Sequence, residues 1–326
     1  MALPSFPNLF TGQDKLDGGN EDHAAGITCD IRTYENRYDS KGNLISLQVG
    51  TRHIDIDTHR DHEMAFVLTR KYNQYMELEQ TTFAIRSPHA KKALQKVVGR
   101  YPGIDFHAAV VVLTGPPRCL FHYRQELQDH LDELEDEEAK KHIALLLKHM
   151  RRTFAVELET WHNLMESSIE HGRLPPMLPF LSLWMAFRPG ENVFLLGDGY
   201  DKALRLQSMS RCECLNPFCW RSRWKLELEE LTFDGDKFGY EESCAMIAPY
   251  DGEARLSTLK AFPLKYHPNK DSISRSLIAR GEKYANLHGT HHRYYDGAAV
   301  SASGWSRGEP NASTLMDLMD LYFSKI

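Results

Sequence analysis

The sequence predicts an α+β fold with antiparallel sheets or a small partial barrel, and with a long helical hairpin in the middle of the chain. Short β-type runs separated by turns that contain Gly or Asn occupy the first and last parts of the chain. In the middle, apolar residues recur at spacings of three and four, which is the period of an amphipathic helix. No internal repeat of constant period is present. These observations favour separate β-rich and helical segments.

The first part of the chain is predicted to form two hairpins. Residues 27–38 and 44–49 are β-type runs on either side of Gly42, which suits a tight turn. Residues 64–72 and 76–85 repeat this arrangement. We therefore expect four strands before the first helix.

The first helix has a clear predicted start. Ser87 precedes Pro88, which is the order of an N-cap and a first helical residue, and the helix is predicted to end near Gly99. Another extended run, residues 108–115, follows.

Residues from about 118 to 170 are predicted to form the helical hairpin. Its second half, 139–170, is expected to be one long amphipathic helix. The apolar stripe of that helix consists of Ile143, Leu146, Leu147, Met150, Phe154, Leu158, Trp161 and Met165. A stripe of this kind is more typical of core packing than of a cofactor site.

The remainder is predicted to be β-rich with one helix at residues 272–287 and one more strand at 291–299. In residues 223–233 the leucines change parity, so a bulge or bend is predicted near Glu229-Glu230.

This pattern predicts that the chain has four parts. They are an N-terminal arm (1–26), an α+β part with the helical hairpin (27–175), a β-rich part with one helix (176–300) and a tail (301–326). The two middle parts form either two domains or one integrated domain.

Composition limits the function classes. The chain has 326 residues and a net charge of -6, and no stretch approaches the ~18 apolar residues of a membrane span. Six cysteines without a secretory signal predict reduced thiols. We therefore expect an intracellular protein, cytoplasmic or nuclear, with no membrane partner. The acidic balance argues against nucleic acid as the main partner.

A cysteine group is the strongest candidate metal site. Cys212, Cys214 and Cys219 lie within eight positions, and in an extended segment the first two share one side. A closed zinc site needs four ligands, so Cys244 or His291 would have to supply the fourth. The other interpretation is a long hairpin loop with partly buried thiols.

Nucleic-acid binding is a further alternative. It would use the basic C-terminal region, residues 252–296, or the cations near the cysteines. Those cations surround aromatic residues, as on a surface that binds single-stranded nucleic acid. The residues of this predicted platform are Arg211, Phe218, Trp220, Arg221, Arg223, Trp224 and Lys225. A half-buried strand with aromatic and basic faces produces the same pattern.

Catalytic and nucleotide-binding motifs are missing from the sequence. It contains no G-x-x-x-x-G-K-[ST] phosphate loop, no G-x-S-x-G and no H-E-x-x-H. No catalytic and no cofactor-binding residue is assigned, and no cofactor is expected in this chain other than zinc at the cysteines.

An ordered set of short motifs carries a family resemblance. The set is R-S-P before a helix, Y-P-G-I, L-F-H-Y-R, F-R-P-G, D-G-x-x-F-G and P-L-x-Y-H-P. From Cys29 to Ala299 the chain resembles the uncharacterised domain that precedes the ATPase module in fungal AAA-type ATPases. The resemblance implies that ATP and magnesium are bound by a following module, which this chain lacks.

The resemblance and the missing motifs together predict a non-catalytic recognition or regulatory domain. It is expected to bind a protein partner or substrate for an AAA-type ATPase hexamer. The alternatives are a zinc-dependent or thiol-based module that uses the cysteines at 212–219, and nucleic-acid binding through the basic C-terminal region.

Overall fold

The structure is a computed structural model that describes residues 25–50, 62–166, 175–196, 201–212, 222–233 and 237–286. Over these residues the predicted α+β class is confirmed. The strands are β1 Thr28–Tyr38, β2 Leu44–Gln48, β3 Met64–Tyr72, β4 Leu78–Ile85, β5 Val111–Thr114, β6 Met177–Pro179, β7 Asn192–Leu195, β8 Lys202–Cys212, β9 Arg223–Phe233, β10 Phe238–Ile247, β11 Glu253–Arg255 and β12 Ala261–Pro263. The α-helices are α1 Pro88–Val97, α2 Arg118–His122, α3 Arg124–Glu133, α4 Glu137–Thr153, α5 Ala155–Trp161 and α6 Lys270–Ala285.

The chain divides into two compact units. The first unit contains residues 1–99, 105–117 and 126–147, and the second contains 100–104, 118–125 and 148–326. Both units are discontinuous in sequence, because the chain passes between them at 99/100, 104/105, 117/118, 125/126 and 147/148, the last of these within α4. The sequence instead predicts one boundary near residue 175.

The first unit is built on a five-stranded sheet in the order β2-β1-β3-β4-β5. Both predicted hairpins are confirmed, because β1 pairs with β2 and β3 pairs with β4 in antiparallel register. The pairing of β1 with β3 is parallel, so this sheet is mixed rather than purely antiparallel. Gly42 adopts a φ of 82° in the first hairpin, where a side chain would be strained.

A buried polar link fixes the start of α1. The Ser87 hydroxyl accepts a hydrogen bond from the Ala90 N–H, as predicted for an N-cap, and lies 2.7 Å from Nδ1 of His142 on α4. Both side chains are buried, and the His142 ring also bonds the Ile27 carbonyl. Burial, together with nearby His89, lowers the pKa of His142. A neutral His142 therefore joins α1, α4 and the start of β1.

Replacing Ser87 with alanine is expected to lower the free energy of unfolding of the first unit by about 2 kcal/mol. The change removes the cap of α1 and leaves a buried nitrogen of His142 without a partner. Urea unfolding followed by far-UV circular dichroism measures the loss. The exposed Ser46 on β2 provides the control, because Ser46→Ala should change stability by less than about 0.5 kcal/mol. Equal effects of the two changes would contradict the capping role.

The predicted long helix over 139–170 is wrong in one respect. α4 ends at Thr153, and Phe154 has φ -108° and ψ 33°, which interrupts the helix before α5 and a π-helical turn at His162–Glu166. The Phe154 ring is buried, with its centroid 5.5 Å from both Phe121 and Trp184. The stripe itself is largely confirmed, because its buried members are Ile143, Leu146, Leu147, Met150, Phe154 and Met165.

The second unit contains a five-stranded antiparallel sheet in the order β10-β9-β8-β7-β12, and β6 pairs separately with β11. Parts of β10 and β12 approach each other, so the sheet is curled but does not close into a barrel. Trp224, Leu226 and Leu228 of β9 form part of its buried inner face, as their shared parity predicts.

The predicted bulge lies in the neighbouring strand. The register of β9 with β10 is regular through Glu229-Glu230, and the shift occurs in β8, where Gln207 is extra between Leu206 and Ser208. Leu231 needs no bend because it lies on the outer face, where 55% of its surface is exposed.

The predicted C-terminal helix is confirmed as α6, and the predicted strand at 291–299 lies outside the described residues. Across the part of the chain that the structure describes, no helix is both long and apolar enough to span a membrane.

Candidate functional site

The candidate site is an open groove of about 440 Å³ at one end of the sheet in the second unit. Three segments form it: the end of β6 with the start of the 3-10 helix Phe180–Met185, the residue before β9, and the loop after β10. Its lining residues are Pro179, Phe180, Leu181, Ser222, Pro249, Tyr250, Asp251 and Gly252.

Two hydrogen bonds fix the aromatic floor of this groove. The Trp224 Nε1–H donates to the Phe180 carbonyl at 2.7 Å, and the Tyr250 hydroxyl donates to the Leu178 carbonyl at 2.8 Å. The rings of Phe180 and Tyr250 meet edge to face, with centroids 5.6 Å apart. Burial raises the pKa of Tyr250, so its hydroxyl stays protonated and keeps its donor role at neutral pH.

An exposed leucine borders the floor. Phe180 is buried, whereas 60% of the surface of the next residue, Leu181, is exposed. Ligand grooves commonly combine apolar and aromatic walls with a few polar groups. Here Ser222 and Asp251 are the polar groups. The arrangement suits an apolar side chain of a partner and offers hydrogen bonds beside it.

Two arginines lie near the Ser222 end. Nη2 of Arg211 donates to the Ser222 hydroxyl at 2.6 Å. The guanidinium of Arg118 lies 5.0 Å from the Trp184 ring centroid and 5.6 Å from that of Trp224. Desolvation, reinforced by the charge of Arg211, lowers the pKa of Arg118. Within the described ranges neither arginine forms an ion pair, so Arg211 brings an uncompensated positive charge to the Ser222 end.

His122 and Cys119 are buried in the second unit and stay neutral. Nδ1 of His122 lies 3.0 Å from the Tyr101 hydroxyl oxygen, and Nε2 lies 2.9 Å from the Trp184 carbonyl oxygen. Burial lowers the pKa of His122 to about 3 and raises that of the neighbouring Cys119 to about 12. Both nitrogens of His122 are used, so this histidine has no free atom for proton transfer to a substrate.

The sheet register separates two of the predicted metal ligands. Cys212 pairs with Arg223, and Cys244 pairs with Glu227, so the two thiols lie on the same face but on strands that flank β9. This offset corresponds to about 10 Å across the sheet and about 13 Å along it, too far for a shared ion. Lys225 lies on the same face between them.

The other predicted ligands, Cys214, Cys219 and His291, lie outside the described residues. Over the ranges that the structure does describe, no three His, Cys, Asp or Glu side chains form a group that could hold a metal ion. A zinc site at Cys212, Cys214 and Cys219 thus stays a prediction.

The predicted nucleic-acid platform has its described residues on two faces. Trp224 is buried on the inner face, whereas Arg223 and Lys225 lie on the outer face, and Nζ of Lys225 is 2.9 Å from the Glu227 carboxylate. Phe218, Trp220 and Arg221 lie outside the described residues. Nucleic-acid binding stays a prediction as well.

Sequence reasoning missed the groove. A signal was nevertheless present, because Pro179-Phe180 and Pro249-Tyr250 each place a proline before an aromatic residue at the end of a strand. Such a pair combines a fixed backbone φ at the proline with a large apolar side chain. Nothing in the sequence shows that these two segments lie side by side.

Comparison with known proteins adds one match. A family model described as "Domain of unknown function (DUF7025)" matches residues 168–268, which is less than half of the chain. All lining residues of the groove lie within this matched segment. No curated protein and no solved structure matches the chain.

Proposed function

We propose that this chain is a non-catalytic recognition or regulatory domain that binds a protein partner and supplies it to an AAA-type ATPase. The observation that carries the proposal is the groove of the second unit. Its aromatic floor is held by two hydrogen bonds, and Leu181 beside it remains exposed. Ordered aromatic residues beside an exposed apolar side chain are typical of protein-binding surfaces.

The chemistry at the groove supports binding rather than catalysis. The Ser222 hydroxyl bonds a guanidinium, not a base that could activate it. In the first unit, the Ser87 and His142 pair is buried and caps a helix, so a substrate has no access to it. Among the described residues, the groove therefore carries groups suited to binding, and the Ser87 and His142 pair has a structural role.

The link to an ATPase rests on the sequence resemblance. Domains that precede AAA-type modules commonly select substrates or adaptors, and this analogy supplies the expected partner class. ATP and magnesium would then be bound by the ATPase, in a hexamer that this chain joins or serves. The chain alone is expected to show no saturable ATP turnover, and turnover would contradict the proposal.

Site-directed photocrosslinking tests the groove. With p-benzoylphenylalanine placed at Leu181, irradiation in cells of the source organism is expected to capture an AAA-type ATPase or one of its substrates. Val156 on α5, 73% exposed, is the matched control position and should not capture the same proteins. A second variant, Leu181→Asp placed in a chain labelled at Ser182, should reduce capture roughly tenfold. The same adducts at Leu181 and Val156 would contradict groove binding.

A further inference from the structure

The strand β10 forms one edge of the sheet in the second unit. It pairs with β9 on one side, and in the described part of the chain no strand pairs with its other side. From Gly239 to Glu242 every residue is exposed, whereas the ring of Phe238 packs edge to face on Tyr284 of α6, with centroids 6.0 Å apart. The segment 239–242 therefore meets solvent. An edge of this kind offers backbone donors and acceptors to an added strand.

Beside this edge, charged side chains of β9 form ion pairs with cations of β8. On β9, Glu230 bonds Lys202 with Nζ to Oε1 at 2.6 Å, and Glu229 bonds Arg205 with Nε to Oε2 at 2.9 Å. Both cations come from β8. The glutamates of β9 therefore already have their partners on the side away from β10.

The edge strand adds two more carboxylates opposite these glutamates. Glu241 pairs in register with Glu230, and Glu242 pairs with Glu229. Within the described ranges neither Glu241 nor Glu242 forms an ion pair. Consecutive strand residues point to opposite faces, so each face of the edge carries one uncompensated carboxylate.

This pattern costs stability. Like charges directly opposite each other in a sheet are destabilising, and edge strands are more often protected by lysine. A strand added beside β10 could place one cation on each face and so pair with Glu241 and Glu242. Tyr240, 62% exposed on the outer face with the Arg205 guanidinium 4.9 Å from its ring centroid, adds apolar surface beside Glu242.

We propose that β10 is a docking edge for a basic, extended segment of a protein partner, which adds a strand to this sheet and places Lys or Arg beside Glu241 and Glu242. Backbone hydrogen bonds to β10 supply affinity, and the two carboxylates select basic segments. The β10 proposal uses none of the groove residues, and its test does not involve the groove. A negative result at β10 would therefore leave the groove proposal intact.

The probe is a short threonine–valine peptide with two consecutive lysines at its centre. In a strand the two lysines face opposite sides, which matches the two glutamates. The peptide should bind in fluorescence anisotropy, and added salt should weaken the binding. A version with two glutamates, and a version with alternate backbone nitrogens methylated, should each bind roughly tenfold more weakly.

The protein variant Glu241→Lys with Glu242→Lys should bind the lysine peptide roughly tenfold more weakly. Its melting temperature should not fall, because the substitutions turn like-charge pairs into opposite-charge pairs. The control is Glu133→Lys with Glu135→Lys, which makes the same charge change on exposed residues of the first unit and should leave binding unchanged.

Four results would overturn the inference. They are no binding up to millimolar peptide, equal binding of the methylated peptide, equal binding by the β10 variant, and self-association in sedimentation that Glu241→Lys with Glu242→Lys abolishes. Equal binding of the methylated peptide would show charge attraction without an added strand.

Discussion

Replacing Trp224 with alanine is expected to lower the free energy of unfolding of the second unit by about 3–5 kcal/mol, which is enough to unfold a marginally stable domain. Trp224 is 1% exposed on the inner face of β9 and touches Phe180 with ring centroids 6.2 Å apart. Its Nε1–H is bonded to the Phe180 carbonyl. The change therefore leaves a large cavity, an unpaired carbonyl and a loosened groove floor.

Urea unfolding followed by tryptophan fluorescence measures this loss. The tryptophans in the described part of the chain, Trp161, Trp184 and Trp224, all belong to the second unit, so their signal reports on that unit. Trp161 is the matched control, because it is only partly buried, and Trp161→Ala should cost roughly half as much. Trp224→Phe keeps most of the apolar volume and should fall between wild type and Trp224→Ala. Equal losses at Trp224 and Trp161 would contradict the assigned role of Trp224.

Local elements were predictable because their causes are local. The cap at Ser87 followed by Pro88 and the turn at Gly42 each depend on residues that are neighbours in the chain. The buried face of β9 likewise follows from simple alternation. The interruption at Phe154 was missed because its cause is a distant contact: the ring packs against Trp184, which overrides a continuous helical pattern.

Pairings between distant segments were not predictable in the same way. The parallel alignment of β1 with β3 is set by how two hairpins meet, and alternation within each hairpin carries no information on that. The bulge was assigned to β9 because Leu231 broke the parity, whereas the extra residue is Gln207 in β8. A parity change shows that a register shifts or a side chain is exposed, but not which of the two occurs.

The candidate site was the least predictable part. Cysteines are recognisable in a sequence as candidate metal ligands, and this is why Cys212, Cys214 and Cys219 were predicted as a site. Of these three, only Cys212 lies in the described part. The groove instead consists of ordinary residues from three segments, of which Phe180 and Tyr250 are seventy positions apart. Only the fold brings their rings to 5.6 Å, so sequence spacing gave no signal.

Lowering the pH is expected to destabilise the second unit through His122. Burial holds the pKa of His122 at about 3 in the folded state, against an ordinary value of 6.5 in the unfolded chain. Below pH 6.5 the unfolded state binds more protons than the folded state, so stability is fully present above pH 6.5 and falls as the pH decreases toward 3. The slope is about 1.4 kcal/mol per pH unit for this one group.

His122→Gln isolates this contribution, because a glutamine amide can still accept from the Tyr101 hydroxyl and donate to the Trp184 carbonyl but does not titrate. The difference in unfolding free energy between wild type and variant, followed by tryptophan fluorescence from about pH 7 to about pH 4, should change with that slope. The control is His162→Gln, since the His162 side chain is 66% exposed and bonds Glu166 at the surface. A constant difference between wild type and His122→Gln across this range would mean that His122 takes up its proton as readily in the folded unit as in the unfolded chain. The Tyr101 bond would then have to break or reverse in the folded state, because a protonated Nδ1 cannot accept it.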